Sequence, residues 1–232
     1  MTRAGATALV SGGKDSIFAA ALADQQGFPV DELVTIEPAD PESFLFHTPN
    51  LGVVPLQAEA WGKRHRRVVV AAPTEDAEAA ALDRAIAEGG STLVAGAIAS
   101  WFQFGRLVDA ALRHDRHLYV PLWGKSDAIV VAAEIEAGLD IRLIHLSAEP
   151  LTRDLLGRRL DTPLLDELRR RSARGPAFHL AGEGGEYETL VVDAPFFGSR
   201  IAIDASEVTG DRGTHRLVVR SAHLEPKSPL IR

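Results

Sequence analysis

Apolar positions in the first half of the chain alternate between short unbroken runs and runs spaced three and four residues apart. This is the pattern of strands followed by covering helices. Thr7–Val10 reads as a strand, and Ser16 to Gln26 carries Phe18, Ala19, Leu22 and Ala23 at helical spacing until Gly27-Phe28-Pro29 stops it. The pattern then predicts strands within Val30–Ile36, at Arg67–Ala71 and at Thr92–Ala95, the last ending at Gly96. Helices are expected from Leu51 to Trp61, from a Thr74 cap with acids in its first turn to Gly89-Gly90, and from Ser100 to His114. Such an order predicts an α/β fold, a doubly wound parallel sheet of the Rossmann-like kind.

Beyond Pro121-Leu122-Trp123-Gly124 the alternation changes. A helix (Ser126 to Ala137), a strand (Ile141–Leu146) and a helix (Thr162 to Ser172) come first. A glycine-rich segment at 182–185 and short β runs at 189–192, 200–204 and 215–222 follow, with a hairpin near Gly210–Gly213 and a loose tail from Glu225. The expected division is therefore residues 1–122 and a smaller α+β region over 123–232.

With 46% hydrophobic and 25% charged residues the chain has the balance of a soluble globular protein, and its net charge of −7 argues against a nucleic-acid partner. The absence of cysteine excludes a thiol nucleophile, a persulfide carrier and a cysteine zinc site. No uncharged stretch reaches the ~20 apolar residues a membrane span needs, and no leader pattern opens the chain, so a cytoplasmic location is expected.

Ser11-Gly12-Gly13-Lys14-Asp15-Ser16 falls between the first strand and its helix, where an α/β sheet binds phosphate. Two glycines let successive N–H groups turn towards an anion, and the helix N-terminus adds a partial positive charge. Ser11 and Ser16 offer hydroxyl donors, and Lys14 offers a compensating charge. Asp15 would repel a bare phosphate, so it fits a magnesium ligand bridging to one. The spacing is not that of a Walker loop.

Gly182-Glu183-Gly184-Gly185-Glu186-Tyr187-Glu188-Thr189-Leu190 places three carboxylates around a flexible turn that enters a strand. Two readings stand: a solvated hairpin, or an anionic pocket for a cation or ammonia with Tyr187 offering an aromatic face.

The first loop is similar to the SGGxDS motif of PP-loop ATP pyrophosphatases, and the second segment resembles the GEGGEYET motif of one branch of them, the diphthine–ammonia ligase family. Further likenesses are Phe46-His47 with Gln57-Ala58-Glu59-Ala60, Gly96-Ala97-Ile98-Ala99-Ser100 with Gln103 and Arg106, Pro121-Leu122-Trp123, and Asp193-Ala194-Pro195-Phe196-Phe197. Phe102 stands where the family has tyrosine before Gln103.

The resemblance implies amidation of diphthine on elongation factor 2 through an acyl-adenylate, with ATP and Mg2+ as cofactors and free ammonium as nitrogen donor. It implies ATP contacts by Ser11, Gly12, Gly13, Lys14, Asp15 and Ser16, with adenine near Thr35 and Ile36 and the Gly96-Ala97 turn facing the same crevice. Asp15 is the metal ligand, and Lys14, Asp15, Glu183, Glu186 and Glu188 are the catalytic candidates. His47, Ser100, Gln103, Arg106, Gly184, Gly185, Tyr187 and Thr189 are the substrate-binding candidates. A different acceptor of the same adenylating chemistry and a non-catalytic ATP-binding module are the alternatives. A homodimer is compatible with the sequence. The basic run Lys63 to Arg67 and His114-Asp115-Arg116-His117 read as solvated surface before they read as a contact patch or a metal site.

Overall fold

The computed structural model describes residues 3–39, 50–210 and 213–227. The chain divides into two compact units, one of residues 1–54 with 63–126, the other of 55–62 with 127–232.

The first unit is a five-stranded parallel sheet in the order β3-β2-β1-β4-β5, as the alternating pattern predicts. Its strands are β1 (Arg3–Leu9), β2 (Val30–Glu37), β3 (Arg64–Val69), β4 (Gly90–Val94) and β5 (His117–Tyr119). The helices between them are α1 (Lys14–Gln25), α3 (Glu75–Ala87) and α4 (Trp101–Arg113). Val34, Ile36, Val68 and Leu93 from the strands pack with Leu82, Ile86 and Leu107 from α3 and α4 in one buried cluster. Thr74 caps α3 and Ser100 caps α4, their hydroxyls accepting from the N–H of Ala77 and Gln103 at 3.3 Å each.

Three expectations need correction in this unit. α1 begins at Lys14, not Ser16, so Lys14 and Asp15 belong to its first turn. β3 takes in the basic run, because β2 lies beside it with matching acids: Arg64 and Arg66 pair with Glu32 at 3.1 and 3.0 Å, and Arg67 with Glu37 at 3.1 Å. The three-residue β5 is too short for alternation to reveal; it is defined by its pairing with β4.

The second unit is a four-stranded antiparallel sheet, β7-β6-β9-β8, formed by β6 (Asp140–Leu146), β7 (Tyr187–Asp193), β8 (Ser199–Thr209) and β9 (His215–Pro226). Helices α5 (Asp127–Glu136) and α6 (Thr162–Arg174) belong to it. So does nearly all of α2 (Val54–Trp61): Gln57 donates to the Val191 carbonyl at 2.7 Å, and Trp61 meets Phe196 at a centroid distance of 4.4 Å. The last hairpin is longer than expected. Glu225 and Pro226, expected in a loose tail, pair with Arg200 and Ser199. Among the described residues no helix is long and apolar enough to cross a membrane.

Candidate functional site

In the first unit the strand order reverses between β1 and β4, the switch point at which open α/β sheets bind ligands. The turns leaving both strands are pressed together there. A Cβ on Gly96 would lie 2.7 Å from the carbonyl carbon and oxygen of Asp15 and 2.8 Å from the Ser16 nitrogen. Only glycine allows the β4 turn to sit so close to the first turn of α1, so the sheet brings Gly96-Ala97 and Ser11 to Ser16 to one place.

The phosphate loop has the shape its composition demands. Gly12 adopts φ 85°, a left-handed conformation that side chains disfavour. Ser16 Oγ accepts from the Ser11 N–H at 3.3 Å and donates to the Gly13 carbonyl at 3.1 Å, which fixes the turn. Gly13 is the N-cap of α1, and among the described residues no side chain caps the helix there; a helix N-terminus of this kind suits an anion. Lys14 is only 1% exposed, and its ammonium lies 2.8 Å from each carboxylate oxygen of Asp15. The loop thus carries its own balanced charge pair beside an anion-binding helix end.

Thr35 and Ile36 are buried near the end of β2. Thr35 Oγ1 donates to the Val10 carbonyl at 3.2 Å and lies 3.0 Å from His65 Nε2. Burial, reinforced by Arg67, holds the His65 pKa below the usual imidazole range against a smaller opposing pull from Glu32. Ser100 and the Gln103 N–H close the α4 cap. Arg106 pairs with Glu75 at 2.6 Å and lies over the Phe102 ring at 4.6 Å. His47 lies outside the described residues. His114, half of the metal alternative, faces Asp83 at 3.1 Å, and no group of three metal-ligating side chains occurs among the described residues.

In the second unit the glycine segment is a built turn. Gly182 has φ 77°, and a Cβ there would meet the Tyr187 carbonyl at 2.6 Å. Glu186 closes the turn by accepting from the N–H groups of His179 and Gly184 at 2.9 and 2.8 Å. Tyr187 is buried and its hydroxyl donates to the Leu180 carbonyl, so its ring packs inside the unit and offers no open aromatic face. Thr189 is buried, Glu183 and Gly185 are half-buried, and Gly184 is exposed. Glu188 lies on β7 with its carboxylate 3.6 Å from His145 Nδ1.

Two partners of this turn gave no signal in the sequence. Ser147 donates its hydroxyl to the Gly185 carbonyl at 2.5 Å and its N–H to the Glu186 carbonyl at 2.8 Å. Asp127 accepts from the Leu180 N–H at 2.9 Å. Both lie at the ends of elements distant in sequence, and only strand and helix packing brings them to the turn.

Residues 4–111 match the family model of the diphthamide synthase N-terminal domain, and residues 127–222 that of the diphthamide synthase C-terminal domain. The chain is 31% identical over 226 residues to the diphthine–ammonia ligase of Danio rerio, the match covering 86% of each chain. Against the human diphthine–ammonia ligase it is 29% identical over 229 residues, 87% of this chain and 83% of that one. Against that of Schizosaccharomyces pombe it is 32% identical over 223 residues, which is 86% of this chain and 36% of the yeast protein.

Proposed function

The chain belongs to the diphthine–ammonia ligase family, and on that premise we propose that it amidates diphthine on elongation factor 2 to diphthamide, consuming ATP and ammonium. It is then an ATP-dependent ligase of diphthamide biosynthesis. Its expected compartment is the cytoplasm, where a translation factor is met.

The observation that carries this reading is the seating of Gly96 on the first turn of α1 at the sheet's switch point. A carboxylate resists ammonia because it is anionic and lacks a leaving group. Attack of its oxygen on the α-phosphorus of ATP expels pyrophosphate and leaves an acyl-adenylate. Ammonia then adds to the acyl carbon, AMP departs, and an amide and a proton remain.

Ser11, Gly12, Gly13 and Ser16 are the residues suited to the β- and γ-phosphates, with Lys14 opposing the charge that grows on pyrophosphate. Thr35, Ile36 and the Gly96-Ala97 turn border the space we assign to the nucleoside. Asp15 fits Mg2+, which takes one or two carboxylates with substrate phosphates and water. Bound there, the ion would offset phosphate charge. Glu183 and Glu188 are our candidates for receiving ammonium. Glu186 is assigned to holding the turn, because both its oxygens accept backbone N–H groups. Ser100, Gln103 and Arg106 remain candidates for contact with the acceptor.

The test is incubation with ATP, magnesium, ammonium and elongation factor 2 bearing diphthine, following AMP and the mass of the factor. AMP release matched by loss of one mass unit, abolished by Asp15→Ala, is the expected result. AMP release with no change in the factor would move the assignment to another acceptor, and no ATP binding would refute the adenylating chemistry.

A further inference from the structure

We infer that His145 is a proton-accepting partner of Glu188, so that ammonium held at Glu188 is released as ammonia, the form able to attack an activated acyl group. The inference rests on the ligase reading above.

β6 is an interior strand of its sheet, and Ile141, Leu143, Ile144 and Leu146 on it are fully buried. His145 sits among them at 8% exposure, and among the described residues neither of its ring nitrogens has a hydrogen-bond partner. A buried polar group left in that state costs about 1–3 kcal/mol. A leucine or valine at this position would avoid that penalty, so packing gives no reason for an imidazole. A member of the acidic turn, Glu188, has its carboxylate 3.6 Å from Nδ1. That distance is too long for a hydrogen bond and within a small side-chain movement of one.

The register of the sheet makes the pair part of a row. His145 is directly opposite Glu188 on β7 and Arg216 on β9, and opposite residues share a face. His145 therefore lies in register between the acidic residue Glu188 on one neighbouring strand and the basic residue Arg216 on the other.

The proton balance is simple. Ammonium gives one N–H proton to the Glu188 carboxylate, which passes it to His145 Nδ1 and becomes a carboxylate again. The freed lone pair forms the C–N bond, the C–O bond to AMP breaks, and the excess N–H proton goes to solvent with that of His145. Glu188 is the group that touches ammonium, and His145 acts through it.

The experiment compares His145→Leu and His145→Gln with the wild type, each with intact chain and diphthine-bearing factor. Three rates are measured at neutral pH: ATP–pyrophosphate exchange, amide formation from ammonium, and hydroxamate formation from hydroxylamine, which is already unprotonated there. Ammonium-dependent kcat/KM is expected to fall on the order of 10²-fold, with exchange and hydroxamate formation unchanged. The ammonium rate should recover as pH rises towards the range where ammonia is the main species. Parallel loss with ammonium and hydroxylamine, or an ammonium rate equal to wild type in His145→Gln, would overturn the inference. Failure of the wild type itself to form amide would instead remove the ligase reading on which it rests.

Discussion

Replacing Gly96 by alanine tests the geometry on which the nucleotide site depends. The added methyl would sit 2.7 Å from the Asp15 carbonyl carbon and oxygen and 2.8 Å from the Ser16 nitrogen, all backbone atoms of α1. No flexible side chain can move aside, so the β4 turn and the helix start must separate. Gly96 is not among the residues at positive φ, so the cost is steric alone. Overpacking of this kind costs about 1–3 kcal/mol, a fall in Tm of roughly 2–12 °C for a chain of this size. Displacement of a binding loop by ~1 Å can cost on the order of 10²-fold in rate. The expected result is a folded protein, modestly less stable, whose ATP–pyrophosphate exchange falls by that order. Gly105, inside α4, is the control: nothing lies within 4 Å of a Cβ there. Alanine at that helical position should raise stability by up to about 1 kcal/mol. Thermal melting and exchange assays of both variants decide the matter. Unchanged stability and exchange in Gly96→Ala would refute the close approach and the reasoning built on it.

Three further predictions follow from named contacts. Ser100→Ala should cost about 1 kcal/mol in urea unfolding through loss of the α4 cap, and Ser100→Asp should restore it; if Asp restores stability but not activity, the hydroxyl also meets the acceptor. Tyr187→Phe removes the buried hydroxyl that donates to the half-buried Leu180 carbonyl, so a loss of about 1 kcal/mol is expected, and wild-type stability in that variant would show the bond is not formed. His65 has a folded pKa below its unfolded value, so its contribution is fully present above the unfolded pKa near 6.5 and is lost as pH falls below it. Unfolding free energy should therefore drop less between about pH 8 and pH 5 in His65→Gln than in the wild type, and an equal drop would contradict the assigned burial of a neutral ring.

What the sequence determined by itself was local. The helical spacing after the first loop, the Thr74 cap and the Gly27-Phe28-Pro29 stop act over a few residues, and the structure has a helix, a cap and a stop there, with α1 starting two residues earlier than its spacing indicated. The Ser11 to Ser16 loop was equally legible, because a strand–glycine–helix junction is specified by adjacent residues. Tertiary structure decided everything that depends on pairing. A helical period over 54–61 is the same whichever sheet the helix covers, and only the Gln57 and Trp61 contacts assign it to the second unit. The three residues of β5 become a strand because β4 supplies a ladder for them. The Arg64, Arg66 and Arg67 charges enter β3 because Glu32 and Glu37 compensate them from β2. In the acidic turn three glutamates were legible as a group but not by role. Backbone N–H groups fold around Glu186, and the register of β6 against β7 sets Glu188 beside His145. Register between strands distant in sequence is fixed by the packing of whole faces, and no short window of residues contains it.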